Sequence, residues 1–341
     1  MAAEDVRRDG EPGTGTGPAG RGDRQVQGVQ GPIGTQALGL TLMHEHVALR
    51  TPGFAENYPF TFPRESVIEQ ASAELSQLRA KGIGTIVDLT TVDLGRDAGL
   101  LAEVSRRSGI NIIAATGAYH HVPAYFKPRT AERISRLFIG DLEQGIAGTG
   151  VRAGVIKCAI DEPGMTDEIR KLTEAAALAH LATGALISTH TSPAGRTGLA
   201  QAGVLAGMGV DLSRVVIGHC GDTTDYGYLR ELLGMGANLG LDRFGLTDYL
   251  DTGQRCEVVA ALCADGFDDR LVLSHDAACF SDVVSRRYRD QHLPDWRMDH
   301  IVDAILPRLR QLGVTESAIV NMTVANPARL LPRTPVQRAG G

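Results

Sequence analysis

The sequence predicts an α/β protein folded as a (β/α)8 TIM barrel, on three observations. From about residue 31, short apolar runs alternate with longer stretches of helical period, the pattern of parallel βαβ units. The runs are LGLTLMHEH, TIVDLT, NIIAATG, AGVIKC, ALISTH, VVIGH, ANLGLD and LVLSHD, and eight is the number that closes a barrel. At 341 residues the chain accommodates the ~250 residues such a barrel needs. An open doubly wound sheet is the alternative.

Before the first run, residues 1–24 hold six Gly and two Pro with almost nothing apolar, and a disordered tail is expected there. Residues 25–335 are expected to form a single barrel. Between runs one and two, SVIEQASAELSQLRAKG places Val67, Ala71, Leu75 and Leu78 on one helical face, with Gly82 as its stop. Between runs four and five, MTDEIRKLTEAAALAHLATG repeats the form, with Thr166 placed to cap and Gly184 to end it.

Composition narrows the class. With 43% hydrophobic and 22% charged residues the chain can bury a large core. No stretch approaches the ~20 uninterrupted apolar residues of a membrane span, and the N-terminus lacks a signal-peptide core, so a cytoplasmic location is expected. A net charge of -6 argues against nucleic acid and anionic membranes as partners. Cys158, Cys220, Cys256, Cys263 and Cys279 form no CxxC pair and read as reduced, buried thiols. Cys220 beside His219 does not make a nucleophile–base pair, because adjacent strand residues face opposite ways.

The residues that end the runs carry the chemistry. They are His44-Glu45-His46, Lys157, His190, His219, Asp242-Arg243 and Asp276, and in a barrel all lie on the C-terminal rim, where active sites are built. His44 and His46, two apart on one strand, present their imidazoles to one point while Glu45 turns away. Four histidines and an aspartate at one rim suit zinc or a similar transition metal. Lys157 lies inside an apolar run, where burial disfavours its ammonium. Either it pairs with Asp276 or Asp88, or its neutral amine adds carbon dioxide and becomes an anionic carbamate.

HEH, Lys157, His190 in ISTHT, His219 in IGHCGDT and Asp276 in LSHDAAC resemble the phosphotriesterase family of the amidohydrolase superfamily. GVQGPIGTQALGLTLMHEH, GLDRFG, AIDEPGMT and NPARLL are similar to its phosphotriesterase-like lactonase branch, over about residues 26–332. The resemblance implies a binuclear site at the C-terminal rim. His44, His46 and Asp276 would hold the buried ion and His190 and His219 the exposed one, with N6-carboxylated Lys157 and a hydroxide between them. Zinc is the first expectation, with cobalt, manganese or iron as alternatives. The implied activity is hydrolysis of a small-molecule lactone or ester, with phosphotriesterase (aryldialkylphosphatase) activity besides. Asp276 would take the proton, and Arg243 and Tyr119 would orient the substrate. The plainer readings are that Arg243 pairs with Asp242 and Tyr119 packs. A homodimer is the expected assembly.

Two departures from the lactonase pattern stand out. Tyr119-His120-His121-Val122-Pro123 lacks the second tyrosine of that branch, and FSDVVSRRYRDQHLPDW carries Arg286, Arg287 and Arg289 where an apolar acyl channel is expected. These arginines either point to solvent or favour an anionic substrate. Hydrolysis of a small N-acyl amine or N-acyl amino acid is the alternative chemistry, and a non-catalytic metal-binding barrel the alternative class. His275 is expected to face the strand–helix layer.

Overall fold

The computed structural model describes residues 24–334, so the tail expected over residues 1–24 lies, but for Arg24, outside them. The described chain opens with an antiparallel hairpin of β1 (Gln25–Gly28) and β2 (Gly31–Gly34). Eight parallel strands follow in chain order, each paired with the next: β3 (Leu40–Leu49), β4 (Ile83–Asp88), β5 (Asn111–Gly117), β6 (Val155–Ala159), β7 (Leu186–His190), β8 (Val215–Ile217), β9 (Asn238–Leu241) and β10 (Leu271–Leu273). A final strand, β11 (Ala278–Ser281), pairs with β3. β10 and β11 are two halves of one barrel strand, interrupted over Ser274–Ala277. The first half bonds to β9 and the second to β3, so the ring closes through the break. The (β/α)8 barrel read from the sequence is therefore the fold.

The apolar periodicity explains the layers. Val67, Ala71, Leu75 and Leu78 of helix Arg64–Ala80 are all buried against the sheet. Thr166 Oγ1 accepts from Ile169 N at 3.3 Å to start helix Asp167–Thr183, which stops at Gly184 in the left-handed region, φ 69°. Inside the barrel a second core stacks Met43, Val87, Ile113, Val155, Leu186, Val216 and Val272 from seven of the eight strands, all but β9. Val26 of the hairpin and Leu330–Leu331 join this core. The interior is thus filled by apolar side chains, and the histidines and acids described below lie beyond it.

Two features were not legible as runs. The first strand continues past His46 to Leu49, and its register against β4 shifts between Leu42 and Glu45. Asp88 Oδ2, at the end of β4, accepts from Val47 N at 2.6 Å and fixes that irregularity. Asp88 is therefore not a partner of Lys157. All five cysteines are free, four of them buried, and Cys220 Sγ is turned to the Ile217 carbonyl at 3.3 Å. Among the described residues no helix is long and apolar enough to cross a membrane.

Candidate metal centre and active site

Backbone conformation places the rim residues before any side chain acts. Lys157 lies within β6, and the Ala118 amide donates to its carbonyl oxygen at 3.2 Å. Gly117 precedes this contact at φ 115°, and a Cβ there would lie 1.8 Å from the Lys157 oxygen, so only glycine fits. Two prospective ligands, His219 (φ 63°) and Asp276 (φ 55°), are themselves left-handed, a strained conformation for residues with a side chain. Each is held by a specific bond. His219 N donates to Asp242 Oδ1 at 2.7 Å, and Asp276 N to the His44 carbonyl at 3.0 Å.

Each of the four imidazoles has one nitrogen bound outward to an oxygen. His44 Nδ1 meets Asp242 Oδ2 at 2.8 Å, His46 Nδ1 meets Thr90 Oγ1 at 2.8 Å, and His219 Nδ1 meets Asp242 Oδ1 at 2.9 Å. His190 is turned the other way, with Nε2 on Asp161 Oδ2 at 2.9 Å. If these outward nitrogens carry the ring protons, the four inward nitrogens hold lone pairs. They converge. His44 Nε2 and His46 Nε2 lie 3.2 and 3.1 Å from Asp276 Oδ1, and His190 Nδ1 lies 2.7 Å from His219 Nε2.

That donor set fits a metal. Two lone pairs 2.7 Å apart repel unless a cation or proton lies between them. Zn–N bonds of ~2.0 Å put neighbouring ligand atoms ~3.3 Å apart, close to the spacing around Asp276 Oδ1. His44, His219 and Asp276 bring ligand atoms within 4.8 Å of one another. Burial holds His190 down to about 4 and lowers His44 and His219, so imidazole rather than imidazolium faces the cluster near neutral pH. Burial opposes ionisation of Asp276, yet His44, His46 and Arg243 hold its carboxyl well below the usual range.

Lys157 is buried with Nζ 3.2 Å from His44 Nε2 and 3.3 Å from the Thr189 carbonyl. It forms no ion pair with Asp276 or Asp88, and burial pushes its pKa down to about 8. Arg243 does not pair with Asp242. Its Nε donates to Asp276 Oδ2 and its Nη1 to Asp222 Oδ2, both at 2.9 Å. Asp222 is held from behind by the buried Arg255. The Tyr119 hydroxyl lies 3.2 Å from His190 Nδ1, so this side chain does more than pack, and His120 stacks on His190 with ring centroids 5.6 Å apart. The six expected ligands, His44, His46, Lys157, His190, His219 and Asp276, thus meet at one rim with Tyr119 and Arg243. What sequence reasoning missed is the orienting support: the role of Asp242, itself named as a strand end, under His44 and His219, and the groups Thr90 under His46 and Asp161 under His190. Their signal was indirect, since a ligating imidazole needs an oxygen on its far nitrogen.

A filled (β/α)8 barrel carrying histidines, an aspartate and a buried lysine at its C-terminal rim defines the class of metal-dependent barrel hydrolases. The phosphotriesterase family model matches residues 24–331, and the chain belongs to that family, whose members are metal-dependent hydrolases. The solved phosphotriesterase of Mycobacterium tuberculosis is 44% identical with a TM-score of 0.88, covering 91% of this chain and 98% of that one. An aryldialkylphosphatase of Saccharolobus solfataricus is 35% identical across 87% of this chain and 96% of its own length. A more distant relative, the N-acetyltaurine hydrolase of Danio rerio, is 25% identical across 90% and 97%.

Proposed function

We propose that the chain is a metal-dependent lactonase with phosphotriesterase activity besides. The observation that carries the reading is the placement of Tyr119 and Arg243 against the prospective metal ligands, one on His190 and the other on Asp276. Two divalent ions bound there would supply hydroxide near neutral pH and polarise a carbonyl or phosphoryl oxygen. His44, His46 and Asp276 would hold one ion and His190 and His219 the other. Lys157 would join the two groups as a carbamate: its neutral amine forms an N–C bond to carbon dioxide and releases a proton. The low pKa of the amine supports that step.

The remaining residues orient substrate and move the proton. Arg243 spends Nε and Nη1 on carboxylates, and its Nη2 has no protein partner among the described residues, leaving a donor for a substrate oxygen. The Tyr119 hydroxyl, 3.2 Å from His190 Nδ1, is a second donor. Donors placed around a lactone ester stabilise the charge that builds on its oxygen during attack. Asp276 would take the proton that the attacking hydroxide gives up.

A second reading, cleavage of an N-acyl amine, draws support from the N-acetyltaurine hydrolase among the relatives, since an amide carbonyl is attacked in the same way. The test is a panel of lactones, acyl-amines and paraoxon-type triesters given to metal-loaded protein whose elemental analysis shows close to two ions per chain. Lactones should be hydrolysed best. Tyr119→Phe and Arg243→Ala should each lower kcat/KM for lactones by ~10- to 1000-fold and affect triesters less. A preference for acyl-amines or triesters over every lactone would reject the lactonase reading, and no turnover by the two-metal protein would reject an enzyme.

A further inference from the structure

Glu45 lies between two prospective ligands yet faces away from them, fully buried. Its carboxylate collects four hydrogen bonds from the segment that interrupts the last barrel strand. Oε1 accepts from Ser274 Oγ at 2.8 Å, His275 N at 3.0 Å and His275 Nδ1 at 2.7 Å, and Oε2 accepts from Ala277 N at 2.9 Å. Every one of these donors belongs to a residue next to Asp276 or two away. The stitching runs in both directions, since His44 N donates to Ser274 Oγ at 2.9 Å and Asp276 N to the His44 carbonyl at 3.0 Å. His275 is fixed at its far side too, where Nε2 accepts from Ile301 N at 3.0 Å.

The segment needs such a clamp. In LVLSHDAACF nothing local breaks a strand, and the default for two collinear halves is continuous pairing with their neighbours. Instead β10 stops at Leu273, β11 starts at Ala278, and Asp276 stands between them at φ 55°. In that conformation its Oδ1 reaches both His44 and His46. An extended Asp276 would project elsewhere.

We propose that Glu45 is a positioning residue, whose carboxylate holds the break open, keeps Asp276 left-handed and so sets the aspartate against the two histidines. It touches neither metal nor substrate. The inference rests on the reading of this cluster as a metal centre.

The test compares wild type with Glu45→Gln, in which an amide nitrogen cannot accept from the donors it meets. Thr85→Val is the control. It removes a buried hydroxyl bond to the Leu38 carbonyl, 2.6 Å long, at the far end of β4. Metal-free protein is titrated with zinc against a chromophoric chelator, and with cobalt while the visible spectrum is recorded. Glu45→Gln should weaken zinc binding ~10- to 100-fold, alter the cobalt bands, and lower kcat with little change in KM. Thr85→Val should lose thermal stability and change none of the three. Unchanged affinity and cobalt spectrum in folded Glu45→Gln would overturn the proposal. If that variant does not fold, Ser274→Ala, which removes the hydroxyl joining His44 N to Glu45, is judged by the same criteria. Wild type that binds neither metal would instead refute the metal-centre reading itself.

Discussion

Asp242→Asn is the sharpest probe of how the cluster is built. One carboxylate accepts from His44 Nδ1, His219 Nδ1 and His219 N at 2.8, 2.9 and 2.7 Å. An isosteric amide has a single accepting oxygen, so its nitrogen must face at least one imidazole Nδ1. That ring then either leaves a donor opposed to a donor or moves its proton to Nε2, where the lone pair is needed. A hydrogen bond to a charged group contributes ~1.5–3 kcal/mol, and ~1.4 kcal/mol is a factor of ten, so metal affinity should fall roughly 10- to 100-fold. Chelator competition measures the affinity directly, and kcat/KM at subsaturating metal should fall in parallel. Affinity within threefold of wild type would show that Asp242 does not fix the tautomers, and the convergent lone-pair argument would fail with it.

Other changes separate stability from chemistry. Lys157→Met removes a buried amine without a carboxylate partner, so the metal-free protein should melt at or above the wild-type temperature while elemental analysis shows metal lost; a large drop in Tm would contradict this. Gly117→Ala should destabilise by ~3 kcal/mol or more in denaturant unfolding, because the new methyl meets the Lys157 carbonyl at a positive φ. Burial holds His190 down to about 4, so between that value and ~6.5 the unfolded chain binds the extra proton. Metal-free protein should therefore lose on the order of 3 kcal/mol as pH falls from about 6.5 to about 4, read from urea midpoints, and a flat profile would count against a neutral buried His190.

The strands, the helices and the rim ligands were legible because they follow from one-dimensional periodicity: an apolar run ending in a polar residue marks a strand end wherever the barrel places it. The break in the last strand was not, since the side chain that gathers SHDA is Glu45, more than two hundred residues earlier. Asp242 was visible as a strand end but not as the support of two ligands, a role that depends on two side chains from other strands. The sequence offers Arg243 its neighbour Asp242 as the plain partner, and the structure gives it Asp276 and Asp222 instead. Local spacing identifies which groups reach the rim. Who bonds to whom there is set by the closure of the ring.

That closure has a temporal side. Because the interrupted strand contributes both the last staves of the barrel and Asp276, while His44 and His46 stand near the start, a nascent chain that has emerged only as far as β9 holds five of the six prospective ligands and has no closed centre. Metal that binds only the finished ring adds RT ln(1 + [L]/Kd) to its stability and nothing to the open precursor. Metal supply during synthesis would then act as a late latch, favouring chains that have joined end to beginning over those still ajar.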